Sequence, residues 1–325
     1  MDANRKQLYT DLENKLNTKL LVYATSHRPG METNIAGDIL PFFTEHLDII
    51  DKAEKISLLL ITNGGDTLTA WSLVNLIRSY CDNFEVIVPA NCFSSGTLIC
   101  LGADDIIMTK QATLGPIDPS TNGPLNPVVP GTNLRVPVSV EIVNAYIEMA
   151  KNTFSIQDDK CMTQILLKLS DMIHPLTLGQ VYRSRQQIQM LAGKLMSLHN
   201  VESEKQEKII KFLCSESGSH DYAIRRKEAS ENLELNIKIP DTDLYKITKY
   251  IYNNICTELE FSNPYRPEII LGANNNANYT CRRCIIESIA GGTDVMLSEG
   301  VITKAPNGAN LQILDHRTFE GWRHE

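Results

Sequence analysis

Apolar residues recur every four positions at Leu8, Leu12, Leu16 and Leu20 amid charged neighbours, so residues 2–19 read as an amphipathic helix packed on the body or on a neighbouring subunit. The pattern then changes to short, nearly continuous apolar runs. Residues 20–24 form the first. A polar loop over 25–34 leads to a helix with Ile39, Phe42, Phe43, Leu47 and Ile50 on its apolar face. Next come a run at 56–62, a helix from Thr67 to about Arg78 (Leu68, Trp71, Leu73, Val74, Ile77) and a second run at 84–89. A short buried helix at 97–102 and a strand at 105–109 complete the series. Uniformly apolar strands alternating with amphipathic helices predict an α/β fold, a mostly parallel sheet covered by helices.

From 115 to 137 the chain fills with Pro, Gly and Asn, which predicts an ordered but irregular loop. Residues 139–214 are predicted to be largely helical, with a basic amphipathic run at 178–198 whose Arg183, Arg185 and Lys194 form a solvated or subunit-facing surface. Pro240 and Asp241 mark a boundary. Residues 1–239 are read as the main domain and 240–325 as a small C-terminal α/β appendage.

Composition narrows the function. With 42% hydrophobic and 22% charged residues the chain is a soluble globular type, without an apolar run of the roughly 20 residues that cross a bilayer. Its charged N-terminus does not read as a signal peptide, which predicts a cytoplasmic protein with no membrane span. A net charge of −8 argues against a nucleic-acid surface, despite the local Arg225-Arg226-Lys227 cluster. The eight cysteines lie mostly in apolar patterns and read as reduced core thiols. Cys281 and Cys284 read as one turn of a helix, since a four-ligand zinc site lacks further ligands nearby. Gly64-Gly65 and Gly291-Gly292-Thr293 lack the Lys-Ser/Thr of a phosphate loop, so neither nucleotide, metal nor other cofactor is expected.

The chemistry sits at two turns. The run at 56–62 stops at Asn63-Gly64-Gly65-Asp66, and the run at 84–89 leads into Phe93-Ser94-Ser95-Gly96-Thr97. In a parallel sheet both turns lie at one edge. A Gly-Gly turn exposes backbone N–H groups with no Cβ in the way, and the Ser-Ser-Gly turn sets a hydroxyl beside them. A serine facing an oxyanion hole is one reading. An ordinary helix N-cap is the other.

The residues Thr62-Asn63-Gly64-Gly65-Asp66-Thr67, Ser94-Ser95-Gly96-Thr97-Leu98-Ile99 with Gly102-Ala103-Asp104-Asp105, and Leu114-Gly115-Pro116-Ile117-Asp118-Pro119 together resemble the serine dehydrogenase proteinase family. That family is grouped with the Clp protease proteolytic subunit, signal peptide peptidase A and the crotonases. The resemblance covers about residues 20–235 and implies a ClpP/crotonase-like spiral of ββα units, homo-oligomerisation and hydrolysis of peptide bonds in a peptide or protein substrate. Carried over, it makes Ser94 the nucleophile, with Ser95 as fallback. Ser95 supplies one oxyanion N–H and Gly64 or Gly65 the other.

The base departs from the family pattern. Where the Clp subunit has its histidine this chain reads Gly115-Pro116-Ile117-Asp118-Pro119, and where signal peptide peptidases have a lysine it reads Asn133-Leu134-Arg135-Val136-Pro137. Arginine stays protonated and cannot serve. The resemblance places Asp221 on the triad aspartate, which ranks His220 with Asp221 first as base and orienter, Lys151 second and His174 third. Two other functions stay open: a crotonase-like acyl-CoA enzyme, whose paired N–H groups hold a thioester enolate, and a catalytically silent oligomeric scaffold of the same fold.

Overall fold

The continuous apolar runs become neighbouring strands of one sheet. The computed structural model describes residues 3–117, 119–219, 221–307 and 310–325. The chain falls into two units, Met1–Leu114 with Ala223–Glu325, and Gly115–Tyr222. It begins with α1 (Ala3–Leu16), β1 (Lys19–Thr25), α2 (Leu40–Ile50), β2 (Ala53–Ile61), α3 (Thr67–Arg78), β3 (Cys81–Val88), β4 (Asn91–Cys92), α4 (Ser95–Leu101), β5 (Asp105–Met108) and β6 (Thr113–Leu114). The second unit holds β7 (Ser120–Thr121), β8 (Val138–Ser139), α5 (Val140–Glu148), α6 (Asp159–Met172), α7 (Pro175–Ser197) and α8 (Ser203–Lys211). The chain returns to the first unit with β9 (Ile224–Arg225), α9 (Arg226–Glu231), β10 (Ile237–Lys238), α10 (Thr242–Glu258), α11 (Pro267–Leu271), β11 (Asn276–Ser288), β12 (Gly292–Asn307) and β13 (Asn310–His324).

The main sheet has the order β10-β5-β3-β2-β1-β11-β12-β13. Its first five strands are parallel, with Leu21 beside Leu58 and Leu58 beside Val86. Strands with both faces covered need apolar residues at every position, and the last six residues of β2 are all buried. The α/β class expected from the sequence is thus present, but the other three strands are antiparallel. The segment after Pro240 supplies them: β11 pairs with β1 from Val22–Glu287 to Thr25–Cys284.

Helix α1 packs on its own chain. Tyr9 and Leu12 are buried in a core shared with Ile251, Ile255 and Leu259. The buried Arg5 guanidinium donates to Glu258 and, at 2.6 Å, to Glu287, which also accepts from the Tyr9 hydroxyl at 2.5 Å. Cys281 and Cys284 lie on strand β11, not on the helical turn expected. A bulge between Arg282 and Cys284 sets Cys281 opposite Ser298 and Cys284 opposite Met296, so both cysteines face one side and are buried there.

In the second unit, the Asn126 amide donates to the carbonyls of Thr121 at 2.7 Å and Val136 at 3.0 Å, which orders the Pro/Gly-rich loop without regular structure. Arg185 ties α7 to α5 through Glu141 at 3.3 Å and Asn144 at 3.0 Å. Helix α7 buries Ile188, Leu191, Ala192, Leu195 and Met196 along its second half. Helix α6 buries no residue and leaves Leu166, Leu167 and Met172 54%, 62% and 70% exposed.

Candidate active site

Ser94 stands between β4 and α4 with φ 51° and ψ −116°, a conformation that costs an L-residue about 1–2 kcal/mol. The turn holding it there is tight. The Gly96 N–H donates to the Phe93 carbonyl at 2.9 Å, and the Thr97 hydroxyl donates to the Cys92 carbonyl at 3.1 Å. Gly96 allows α4 to close on the strand end: a Cβ there would lie 2.6 Å from Thr62 Cγ2 and 2.9 Å from Cys92 Sγ. Ser94 occupies the N-cap position of α4, yet its side chain makes no capping hydrogen bond and has no partner among the described residues. The ordinary capping role is therefore not what this hydroxyl does. Ser95, the next residue, is fully buried with its hydroxyl unpartnered among the described residues.

The Gly-Gly turn lies directly against this elbow. Gly64 has φ 102°, and a Cβ on it would fall 2.7 Å from Ser94 Cβ, 2.8 Å from the Phe93 carbonyl oxygen and 3.2 Å from the Ser95 nitrogen. Gly65 has φ 148° and is equally confined, since a Cβ would meet the Ile35 carbonyl oxygen at 2.3 Å. Ile35 clamps the turn by donating to the Gly64 carbonyl and accepting from the Asp66 N–H, each at 2.8 Å. Asp66 then caps α3, its carboxylate accepting from the Thr69 N–H at 2.7 Å. The three nearby N–H groups differ in use. That of Gly64 donates to the Thr62 hydroxyl at 3.0 Å, while those of Gly65 and Ser95 have no partner among the described residues.

Two buried thiols support the elbow from below, Cys92 and Cys100, with sulfurs 3.7 Å apart. Burial pushes the Cys92 thiol well above the usual range, which keeps it protonated. The residues named as base belong to the second unit. Lys151 is exposed on the π-helical turn Met149–Thr153. His174 is exposed and caps α7, its Nδ1 accepting from the Leu176 N–H at 3.2 Å. Asp221 is exposed and its N–H donates to the Ser219 hydroxyl at 3.3 Å. His220 lies outside the described residues.

A second Ser/His/Asp constellation lies outside the turns that the sequence singles out. His46 Nδ1 lies 2.7 Å from the Ser288 hydroxyl, and His46 Nε2 lies 2.9 Å from Asp294. All three residues are 1–2% exposed, the Ser288 oxygen already accepts from the Gly291 N–H at 2.8 Å, and a Cβ on Gly291 would meet the His46 ring at 2.4 Å. No substrate has room there. The network fastens the β11–β12 hairpin to α2, and burial lowers the His46 pKa. No spacing signal announces it, because hydrogen bonds spanning more than 240 residues create it.

A model of the ClpP-like SDH-type serine proteinase family matches residues 46–134. The uncharacterized protein MJ0137 of Methanocaldococcus jannaschii is 29% identical over 201 residues, 60% of this chain and 60% of that protein's own length. A second uncharacterized protein of the same organism, MJ1495, is 25% identical over 245 residues, 73% of each. Among solved structures, an Asn-to-Asp mutant of ClpP1 from Listeria monocytogenes aligns with a TM-score of 0.39 at 12% identity, over 72% of this chain and 99% of that one. A Ser-to-Ala mutant of the 1510-N membrane-bound stomatin-specific protease aligns with a TM-score of 0.27 at 23% identity, over 41% of this chain and 64% of that one. The family match takes in Gly64, Gly65, Ser94 and Ser95, so over residues 46–134 the resemblance to the ClpP-like SDH-type serine proteinases is borne out.

Proposed function

We propose that this protein is a serine peptidase that cleaves peptide bonds through an acyl-enzyme on Ser94. The observation that carries the reading is the strained Ser94 turn, with its hydroxyl spared from capping, packed against Gly64 of the Gly-Gly turn, together with the N–H groups of Gly65 and Ser95, which have no partner among the described residues. The Ser94 oxygen attacks the scissile carbonyl carbon while a base takes its proton. The two N–H groups stabilise the oxyanion that forms, and the base returns the proton to the departing amine. Gly64 serves by packing, because its N–H is held by Thr62. His220 oriented by Asp221 is the proposed base, with Lys151 and then His174 behind it. The test is a burst of product from an activated ester, equal to the protein concentration. It should vanish in Ser94→Ala and persist in Ser95→Ala. A wild-type protein with no burst would favour acyl-CoA chemistry or a silent scaffold.

We also propose a homo-oligomer. Support comes from α6, whose 14 residues carry an apolar stripe with nothing buried; a helix of that length is marginal in water by itself, and a second copy would cover it. Light scattering at micromolar concentration should give a multiple of the chain mass, and a monomer would contradict the proposal.

A further inference from the structure

Resting on the serine-peptidase reading, we infer that Thr62 is a positioning residue of the site, one whose side chain and backbone together hold the oxyanion turn and the nucleophile turn in register. Thr62 is fully buried directly after β2, where it bridges to Cys92, and uses each of its groups on a different part of the site. Its N–H donates to the Asn91 carbonyl and its carbonyl accepts from the Phe93 N–H, both at 3.0 Å, which fixes the segment entering Ser94. Its methyl group lies beneath Gly96, where an added Cβ would come within 2.6 Å. Its hydroxyl accepts from the Gly64 N–H at 3.0 Å and is bonded at 3.0 Å to the hydroxyl of Thr25, itself fully buried on β1.

The Thr62 hydroxyl decides which N–H of the turn is left without a partner among the described residues. Gly64 is buried, so its N–H must find a partner inside the protein or carry a desolvation cost. Thr62 provides that partner and draws the first N–H of the turn inward. The next one, at Gly65, is thereby left for the oxyanion. Without the hydroxyl, the turn rotates to satisfy Gly64 and the Gly65 N–H loses its aim. Thr25 holds the Thr62 hydroxyl in the rotamer that meets Gly64.

Substitution separates the two branches of the side chain. Thr62→Val keeps the shape and removes the hydroxyl, whereas Thr62→Ser keeps the hydroxyl and removes the methyl group. The experiment measures covalent labelling of the full-length protein by a fluorophosphonate, resolved into probe affinity and the first-order rate at saturation. Thr62→Val should lower the saturating rate about 10- to 100-fold at nearly unchanged probe affinity, because only transition-state stabilisation is lost. Thr62→Ser should recover to within about 3-fold of wild type, and Thr25→Val should fall about 3- to 10-fold by the same mechanism. A folded Thr62→Val protein that labels at the wild-type rate overturns the inference, as does a wild-type rate in Thr25→Val should Thr62→Val not fold. If Ser94→Ala itself still labels, the peptidase reading fails first; if Ser94→Ala is silent and the threonine variants are normal, only the role of Thr62 falls.

Discussion

Replacing Gly64 by alanine tests the contact on which the proposed site depends. The added Cβ would stand 2.7 Å from Ser94 Cβ and 2.8 Å from the Phe93 carbonyl oxygen, at φ 102°. Two costs follow. The backbone angle is adverse for any L side chain, by about 1–2 kcal/mol. Carbon atoms in contact settle near 3.5–4.0 Å, so the Ser94 turn must retreat by roughly 1 Å. A misplacement of that size costs on the order of 10²-fold in rate, equivalent to about 2.7 kcal/mol of barrier. Gly131→Ala is the matched control: its φ is 78°, and nothing lies within 4 Å of the added carbon. Both variants should melt a few degrees below wild type, measured by differential scanning fluorimetry, through the shared backbone cost. Only Gly64→Ala should lose labelling by a serine-directed probe, about 100-fold or more. Equal labelling rates in the two variants would refute the packing argument.

Three further outcomes are expected. Ser288→Ala should leave probe labelling at the wild-type rate while lowering stability by about 1–3 kcal/mol in denaturant melts, because it breaks a buried structural network; loss of labelling would make Ser288 a second candidate nucleophile. Burial of the His27 ring, which stacks on Phe261 at 4.8 Å, lowers its pKa from 6.5 to about 4. The unfolded chain therefore binds the proton more readily, and about 3 kcal/mol of stability present above pH 6.5 should drain away as the pH falls through 4. His27→Gln should flatten that part of the stability profile, and an unchanged slope would contradict the assignment. Finally, His220→Ala should cost nearly as much turnover as Ser94→Ala, and wild-type turnover should rise through an apparent pKa of about 6–7. Activity surviving His220→Ala would promote Lys151, with a rise at higher pH, or His174.

The legible parts of this protein are those written in local periodicity. The parallel strands and the helix Thr67–Arg78 follow from apolar runs and a 3.6-residue repeat, and the two site turns follow from glycine and serine at strand ends. What escaped depends on residues far apart in sequence. The antiparallel part of the sheet forms because β11 pairs with the edge of β1 from more than 250 residues away, a pairing that no local pattern encodes. The helical reading of Cys281–Cys284 failed because a single bulge put both thiols on one face of a strand, imitating the spacing of a helical turn. Thr62 passed as the last residue of a strand; its role comes from contacts with Thr25, Gly64 and Gly96, which only folding brings together.

The most direct test of the central claim is the mass of a single modified residue. Reaction of the wild-type protein with a fluorophosphonate, followed by intact-mass measurement and peptide mapping, should show one adduct per chain, located on Ser94. An adduct on Ser95, on Ser288 or on any other residue, or an unmodified chain under conditions that label a control serine peptidase, would contradict the account.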